Sequence, residues 1–202
     1  MVSSMKIIGI TGGVGAGKSQ ILSYIENNYS SKIIRADEAA HLLEEPGQNC
    51  YIRLVELLGE YILNHDRTIN KARMAECIFK DKDILEKVNN IIHPEVKKYI
   101  LQQIQYEQKK CEVKYFFIEA ALLIEEHYDE IVDEMWYIHS DVEVRAKRLS
   151  QQRNYSDEKI ADIMAKQLSE AEFRKHCQRV ISNNGDLKET YMQIDNILSN
   201  EG

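Results

Sequence analysis

Cysteine, proline and long apolar runs are all scarce in this chain, and each scarcity excludes a class of protein. Among 202 residues there are 4 cysteines and 2 prolines. Cys50, Cys77, Cys111 and Cys177 lie far apart and form no C-x-x-C pair. Neither a disulfide framework nor a zinc knuckle is expected, and the thiols read as reduced groups of a cytoplasmic protein. Pro46 and Pro94 are isolated, so there is no proline-rich linker, and no low-complexity segment or internal repeat is visible. No stretch approaches the roughly 20 apolar residues of a membrane span. The first residues lack the apolar core of a secretory leader. An excess of positive charge is missing too: 26 Lys and Arg stand against 33 Asp and Glu, a formal net charge of -7. That balance argues against a nucleic-acid partner, which needs a basic face, and leaves room for a local basic pocket.

What is present is an ordinary globular composition, 44% hydrophobic and 29% charged, long enough for one packed domain with small appended subdomains. Its sharpest feature is Gly12-Gly13-Val14-Gly15-Ala16-Gly17-Lys18-Ser19, which fits G-x-x-x-x-G-K-[ST], the phosphate-binding P-loop. Ile7-Ile8-Gly9-Ile10-Thr11 before it reads as a buried strand, and Ile21, Leu22 and Ile25 after it fall on one side of a helix. A strand-to-helix turn is the setting the motif requires. Glycines let the backbone turn and let amides close on an anion. Successive N–H groups at a helix N-terminus then attract phosphate. Gly13, Val14, Gly15, Ala16, Gly17, Lys18 and Ser19 are thus the expected phosphate contacts. Lys18 can reach the β- and γ-phosphates, and the Ser19 hydroxyl is the expected Mg²⁺ ligand.

Short apolar runs lie between helical patterns along the rest of the chain, which predicts an α/β fold built on a parallel sheet. Strands are expected at 7–11, 32–37, 115–119, 135–139 and 179–182. Between about 48 and 108 no strand pattern occurs. Leu54, Val55, Leu58 and Ile62 follow helical spacing, as do Ile84, Val88, Ile91 and Ile92. His93-Pro94 is expected to end or kink the second of these helices. This all-helical insertion reads as a substrate subdomain. A polar, arginine-containing segment occupies 144–155. Ile160, Ile163, Met164 and Leu168 mark a later helix, and Leu187, Tyr191, Ile194 and Leu198 a final amphipathic one.

Asp37 ends the second expected strand, on the carboxyl edge where open α/β sheets bind ligands. Its carboxylate suits a base that accepts a hydroxyl proton or a group that holds hydrated Mg²⁺; it equally suits a cap for the following helix. Glu119 ends the third strand, where an acidic residue orients Mg²⁺ through water or is simply an exposed strand-end charge. Glu125, six residues on, reads as a substrate contact or a surface charge. Arg145, Lys147, Arg148 and Arg153 form a basic cluster, either a lid over phosphates or a solvated helix face. His93, placed before a proline, reads more readily as structural than as catalytic.

Together these elements resemble the dephospho-coenzyme A kinase family, P-loop kinases of the adenylate-kinase-like group, over nearly the whole chain. The family's G-G-[IV]-G-[SA]-G-K-S loop is matched by Gly12 to Ser19, its D-A-D by Arg35-Ala36-Asp37, its E-P-G by Glu45-Pro46-Gly47 and its H-P by His93-Pro94. Its P-L-L-[FI]-E segment is matched by Ala121-Leu122-Leu123-Ile124-Glu125, its late glutamine by Gln167, and its R-…-V-I-x-N-x-G by Arg174 with Val180 to Gly185. The lid arginines correspond to Arg148 and Arg153. The departures are Arg35 for the first aspartate of D-A-D, Gln20 after the loop serine, Ala121 for proline and Glu119 for aspartate. Gln152 stands where the second lid arginine is expected, with Arg153 one residue later.

The resemblance implies a P-loop NTPase three-layer α/β sandwich with a parallel sheet, a helical substrate-binding subdomain and a lid. It puts the nucleotide-binding core at 5–43, 114–144 and 156–202, the helical CoA-binding subdomain at 44–113 and the lid at 145–155. It implies a kinase that uses ATP and Mg²⁺ to phosphorylate the ribose 3′-hydroxyl of dephospho-CoA, the last step of coenzyme A biosynthesis. Asp37 is then the base, and Lys18, Arg148 and Arg153 stabilise the transferring group. Asn183 and Gly185 border the adenine, and Asp37, His93 and Glu125 contact the acceptor. A cytoplasmic monomer or weak homo-oligomer acting on small molecules, with no membrane or nucleic-acid partner, is expected. Another nucleoside or nucleotide kinase of the same fold, and a nucleotide-binding module without turnover, stand as alternatives.

Overall fold

Strands covered on both faces require continuous apolar runs rather than alternation, and the runs at 7–10, 115–118 and 135–138 supply them. In the computed structural model, which describes residues 5–199, they lie in β1 (Lys6–Thr11), β3 (Tyr115–Glu119) and β4 (Glu134–His139). With β2 (Ser31–Arg35) and β5 (Arg179–Ser182) they form a five-stranded sheet in the order β2-β3-β1-β4-β5. β1 pairs in parallel with β3 and β4, and β4 in parallel with β5. Parallel neighbours need crossover connections. The helices are α1 (Lys18–Asn28), α2 (Ala36–Leu43), α3 (Asn49–Leu58), α4 (Lys71–Lys80), α5 (Lys82–Lys110), α6 (Val142–Arg153), α7 (Asp157–Ala165), α8 (Glu170–His176) and α9 (Leu187–Ser199). Among the described residues no helix is long and apolar enough to cross a membrane.

Alternate residues of the strands serve the two faces of the sheet. Ile8, Ile10, Phe117, Trp136 and Ile138 pack with Ile21, Leu22 and Ile25 of α1 and Ile194 and Leu198 of α9. On the other face, Tyr137 stacks on Phe173 of α8 with ring centroids 4.7 Å apart. At the N-terminal end of the sheet Glu134 ties three strands: Lys6 donates to it at 2.9 Å and Arg179 at 2.6 Å. The C-terminal end is left to the loops that carry chemistry.

The chain divides into two compact units, one of residues 1–33 and 110–202, the other Ile34–Lys109. These bounds differ from the expected 44 and 113. The second unit has its own core of Cys50, Leu54, Ile62, Leu63, Val88 and Ile91. Burial there pushes the Cys50 thiol up to about 11. In the first unit the Cys177 thiol is likewise pushed up to about 12 by burial. Both groups stay protonated at neutral pH.

Of the two outcomes expected at His93-Pro94, a helix end does not occur: α5 runs through Pro94 from Lys82 to Lys110. A proline inside a helix forfeits one backbone bond and costs about 3 kcal/mol, and the buried stripe Val88, Ile91, Val96, Ile100 and Ile104 on both sides of it outweighs that cost. The second strand does not reach 37. It stops at Arg35, and Asp37 lies in the first turn of α2. The polar segment at 144–155 is helical almost throughout, as α6, which ends at Arg153 before Asn154 turns left-handed with φ 52°.

Candidate active site

The loop between β1 and α1 is shaped by what crowds it. Gly17 caps α1 in the left-handed region, with φ +89°, and a Cβ there would collide with the side-chain amide of Asn183. Only glycine meets both demands. At Gly13 a Cβ would run into the Arg145 guanidinium, so that side chain rests on the loop backbone itself. The Ala16 amide closes a turn onto the Gly13 carbonyl at 3.1 Å. The Gln20 and Ile21 amides both point to the Gly17 carbonyl, at 3.1 and 3.4 Å. The amides ahead of them, at the start of α1, have no acceptor within the helix and face an incoming anion.

The loop carbonyls are tied back on the opposite side. Asn183 is wholly buried, and its amide donates to the Ala16 carbonyl at 2.8 Å while its Oδ1 accepts from Thr190 at 3.1 Å. Arg148 donates through NH2 to the Asn183 carbonyl at 2.8 Å and through NH1 to Ser140 Oγ at 3.0 Å, with the Gly15 and Ala16 carbonyls at 3.3 and 3.4 Å. Ser140 completes the set by donating to the Asn183 carbonyl at 2.8 Å. A loop whose carbonyls are bonded behind it presents its amides in front, and that polarity favours phosphate.

Lys18 opens α1. Its Nζ donates to the Gly12 carbonyl at 2.8 Å and lies 3.6 Å from Glu119 Oε1. Both side chains are largely covered, at 13% and 16% exposure, so their charges act with little screening by solvent. Ser19, next along the helix, is exposed. Its hydroxyl and the Glu119 carboxylate are hard oxygen donors of the kind Mg²⁺ accepts. The cationic and amide donors around them match the phosphates of ATP. The residues present therefore fit both groups.

The other expected site residues are placed as follows. Asp37 is exposed in the first turn of α2, within the second unit. The cap of that helix is Arg35, with no side-chain capping bond, so the capping alternative for Asp37 falls. Among the described residues its carboxylate has no hydrogen bond or ion pair. His93 lies half-buried midway along α5. Val14 and Gly15 are half-covered members of the loop, and Gly185 is exposed in the turn after β5. Glu125 is exposed in the turn that follows β3, and Arg153 is exposed at the end of α6. The tie-back roles of Ser140 and Thr190 were not foreseen, and neither was the bond from the Asp141 amide to the Asn184 side chain at 2.6 Å. Bonds from side chains to distant main-chain carbonyls leave no spacing in a sequence. Arg145 had a signal, since it stands three residues before Arg148 and so on the same helix side.

The amides and cations gathered around the loop suit a polyphosphate, and the strand order places the chain among the P-loop kinases. Comparison with known proteins narrows that class. Residues 6–189 match the family model described as dephospho-CoA kinase. A dephospho-CoA kinase of Listeria monocytogenes is 35% identical over 189 residues, 94% of each chain. One of Streptococcus mutans is 33% identical over 193 residues, 96% of each. Among solved structures, TT1252 from Thermus thermophilus superposes with a TM-score of 0.81 at 24% identity over 97% of each chain, a likeness of fold. The chain belongs to the dephospho-CoA kinase family. It is accordingly an ATP-dependent kinase of dephospho-CoA, working in coenzyme A biosynthesis.

Proposed function

We propose that the chain transfers the γ-phosphoryl group of ATP to the ribose 3′-hydroxyl of dephospho-CoA, giving CoA and ADP as the last step of coenzyme A biosynthesis. The 3′-oxygen forms a bond to the γ-phosphorus as the bond from that phosphorus to the β,γ-bridging oxygen breaks, and ADP leaves. The hydroxyl proton passes to the Asp37 carboxylate. A carboxylate that caps no helix and pairs with no cation suits that task. Lys18 stabilises charge on the β- and γ-phosphates, and the loop from Gly13 to Ser19 holds them through its amides. The Ser19 hydroxyl would hold Mg²⁺, with Glu119 placed to accept from its water, and the ion would supply neutralisation of phosphate charge.

Arg148 acts mainly from behind, because its donors already serve the loop and Asn183. Asn183 likewise shapes the adenine side from within, with Gly185 at its rim. Arg153, on the exposed end of α6, belongs to a lid over 145–155 that excludes water. The helical unit receives the acceptor, with His93 on α5; Glu125 contributes from the turn after β3. The chain works as a cytoplasmic monomer or weak homo-oligomer.

The observation that carries this reading is Lys18 Nζ, held between the Gly12 carbonyl and Glu119 at the head of α1. Phosphorus NMR of the product formed from Mg-ATP and dephospho-CoA tests it. A single new 3′-phosphomonoester resonance is expected, whereas a 2′-phosphate or a diphosphate product would refute the assignment.

A further inference from the structure

Two arginines of α6 meet the P-loop, and their bonding differs. Arg148 is saturated by main-chain carbonyls and Ser140. Arg145 is under-bonded. Its guanidinium lies on Gly13, where even one added methyl carbon would overlap NH1. That same NH1 donates to Gln167 Oε1 at 3.3 Å. Its Nε is buried and without a partner among the described residues. Thr11, Ser31 and Trp136 each carry a buried polar atom in the same condition, but Arg145 alone among them is charged. A guanidinium has five N–H donors in a planar fork that matches phosphate oxygens. Leaving such a group half-satisfied beside an amide-lined loop is costly, and a polyphosphate seated in the loop relieves the cost. The Arg145 carbonyl also lies against Gly15, 2.9 Å from where a Cβ there would stand. With NH1 bonded to Gln167, the fork already lies over the loop without the nucleotide.

We infer that Arg145 is the arginine of α6 that binds the nucleotide phosphates directly, a catalytic residue held in position by Gln167. The inference rests on the proposed reading of the loop as the ATP site.

Displacement of a fluorescent ATP analogue by ATP, ADP and adenosine, with no acceptor present, tests it on the wild type, Arg145→Gln, Arg145→Lys and Gln167→Ala. Arg145→Gln is expected to weaken ATP and ADP by at least about tenfold, the loss of a charge-assisted contact, and to leave adenosine unchanged. Arg145→Lys should recover part of the loss, which also guards against misfolding of the neutral variant. Gln167→Ala should cause a smaller loss that does not add to that of Arg145→Gln. Unchanged ATP affinity in folded Arg145→Gln, or equal losses for ATP and adenosine, would overturn the inference. Because this assay reads binding alone, a wild type that binds ATP but never phosphorylates dephospho-CoA would sink the proposed reaction and leave the role of Arg145 intact.

Discussion

Lys18 and Glu119 face one another at 3.6 Å, an ammonium from the head of α1 against the last carboxylate of β3. The pair sets the charge of the loop mouth. Lys18→Met removes the cation that meets the phosphates and is expected to lower kcat by about 10² to 10³. Glu119→Gln keeps the shape and removes the anion. Its expected effect is a rise of about tenfold in the Mg²⁺ concentration for half-maximal rate, at a similar affinity for ATP. Initial rates across a Mg²⁺ titration check this. An unchanged titration curve would confine Glu119 to neutralising Lys18.

Asp37→Asn preserves size and hydrogen-bonding reach but cannot accept the proton. A fall of about 10² or more in kcat is expected, with the dissociation constant for ATP unchanged. Steady-state kinetics beside nucleotide calorimetry separate the two. Near-normal turnover would remove Asp37 as the base.

Arg148→Ala strips donors from Ser140 and from the carbonyls of Gly15, Ala16 and Asn183 together. The Asn183 and Ala16 carbonyls keep Ser140 and the Asn183 amide as donors, so what is lost is a set of charge-assisted bonds, worth about 1–3 kcal/mol, and the urea midpoint should fall by a corresponding amount. A variant as stable as the wild type but impaired in kcat would instead make Arg148 a direct phosphate ligand.

Glu134 predicts an acid limb of stability. Burial pushes its carboxyl up, but the bonds from Lys6 and Arg179 outweigh burial and hold it below the ordinary glutamate value. A group whose folded value is depressed adds stability above its unfolded value, near 4.3, and loses it as pH falls through the folded one. Wild-type stability should therefore decline from about pH 5 downward. Glu134→Gln should be less stable at neutral pH and show a shallower decline. Parallel acid limbs for the two proteins would show that other carboxylates govern it.

Much of this was legible in the sequence where one force dominates. The strand at 115–119 stands out because an apolar run ends abruptly in a carboxylate, and the loop because few residue types tolerate its backbone. The turn from β2 into α2 was misread because Arg35-Ala36-Asp37 suits a strand end, while the acidic first turn Asp37-Glu38 favours a helix start. At Pro94 the local penalty leaves an end or a kink open, and packing along α5 carries the helix through it. The bracing of the loop by Ser140, Arg148, Asn183 and Thr190 joins residues from four separate stretches through single hydrogen bonds. No periodicity or motif encodes such meetings.

The most direct test of the central claim is ADP release from Mg-ATP with dephospho-CoA as acceptor, run beside AMP, adenosine and uridine, with the product identified by mass. ADP release that depends on dephospho-CoA and matches CoA formed mole for mole is expected. Release that proceeds equally without dephospho-CoA, or that follows one of the other acceptors instead, would contradict it.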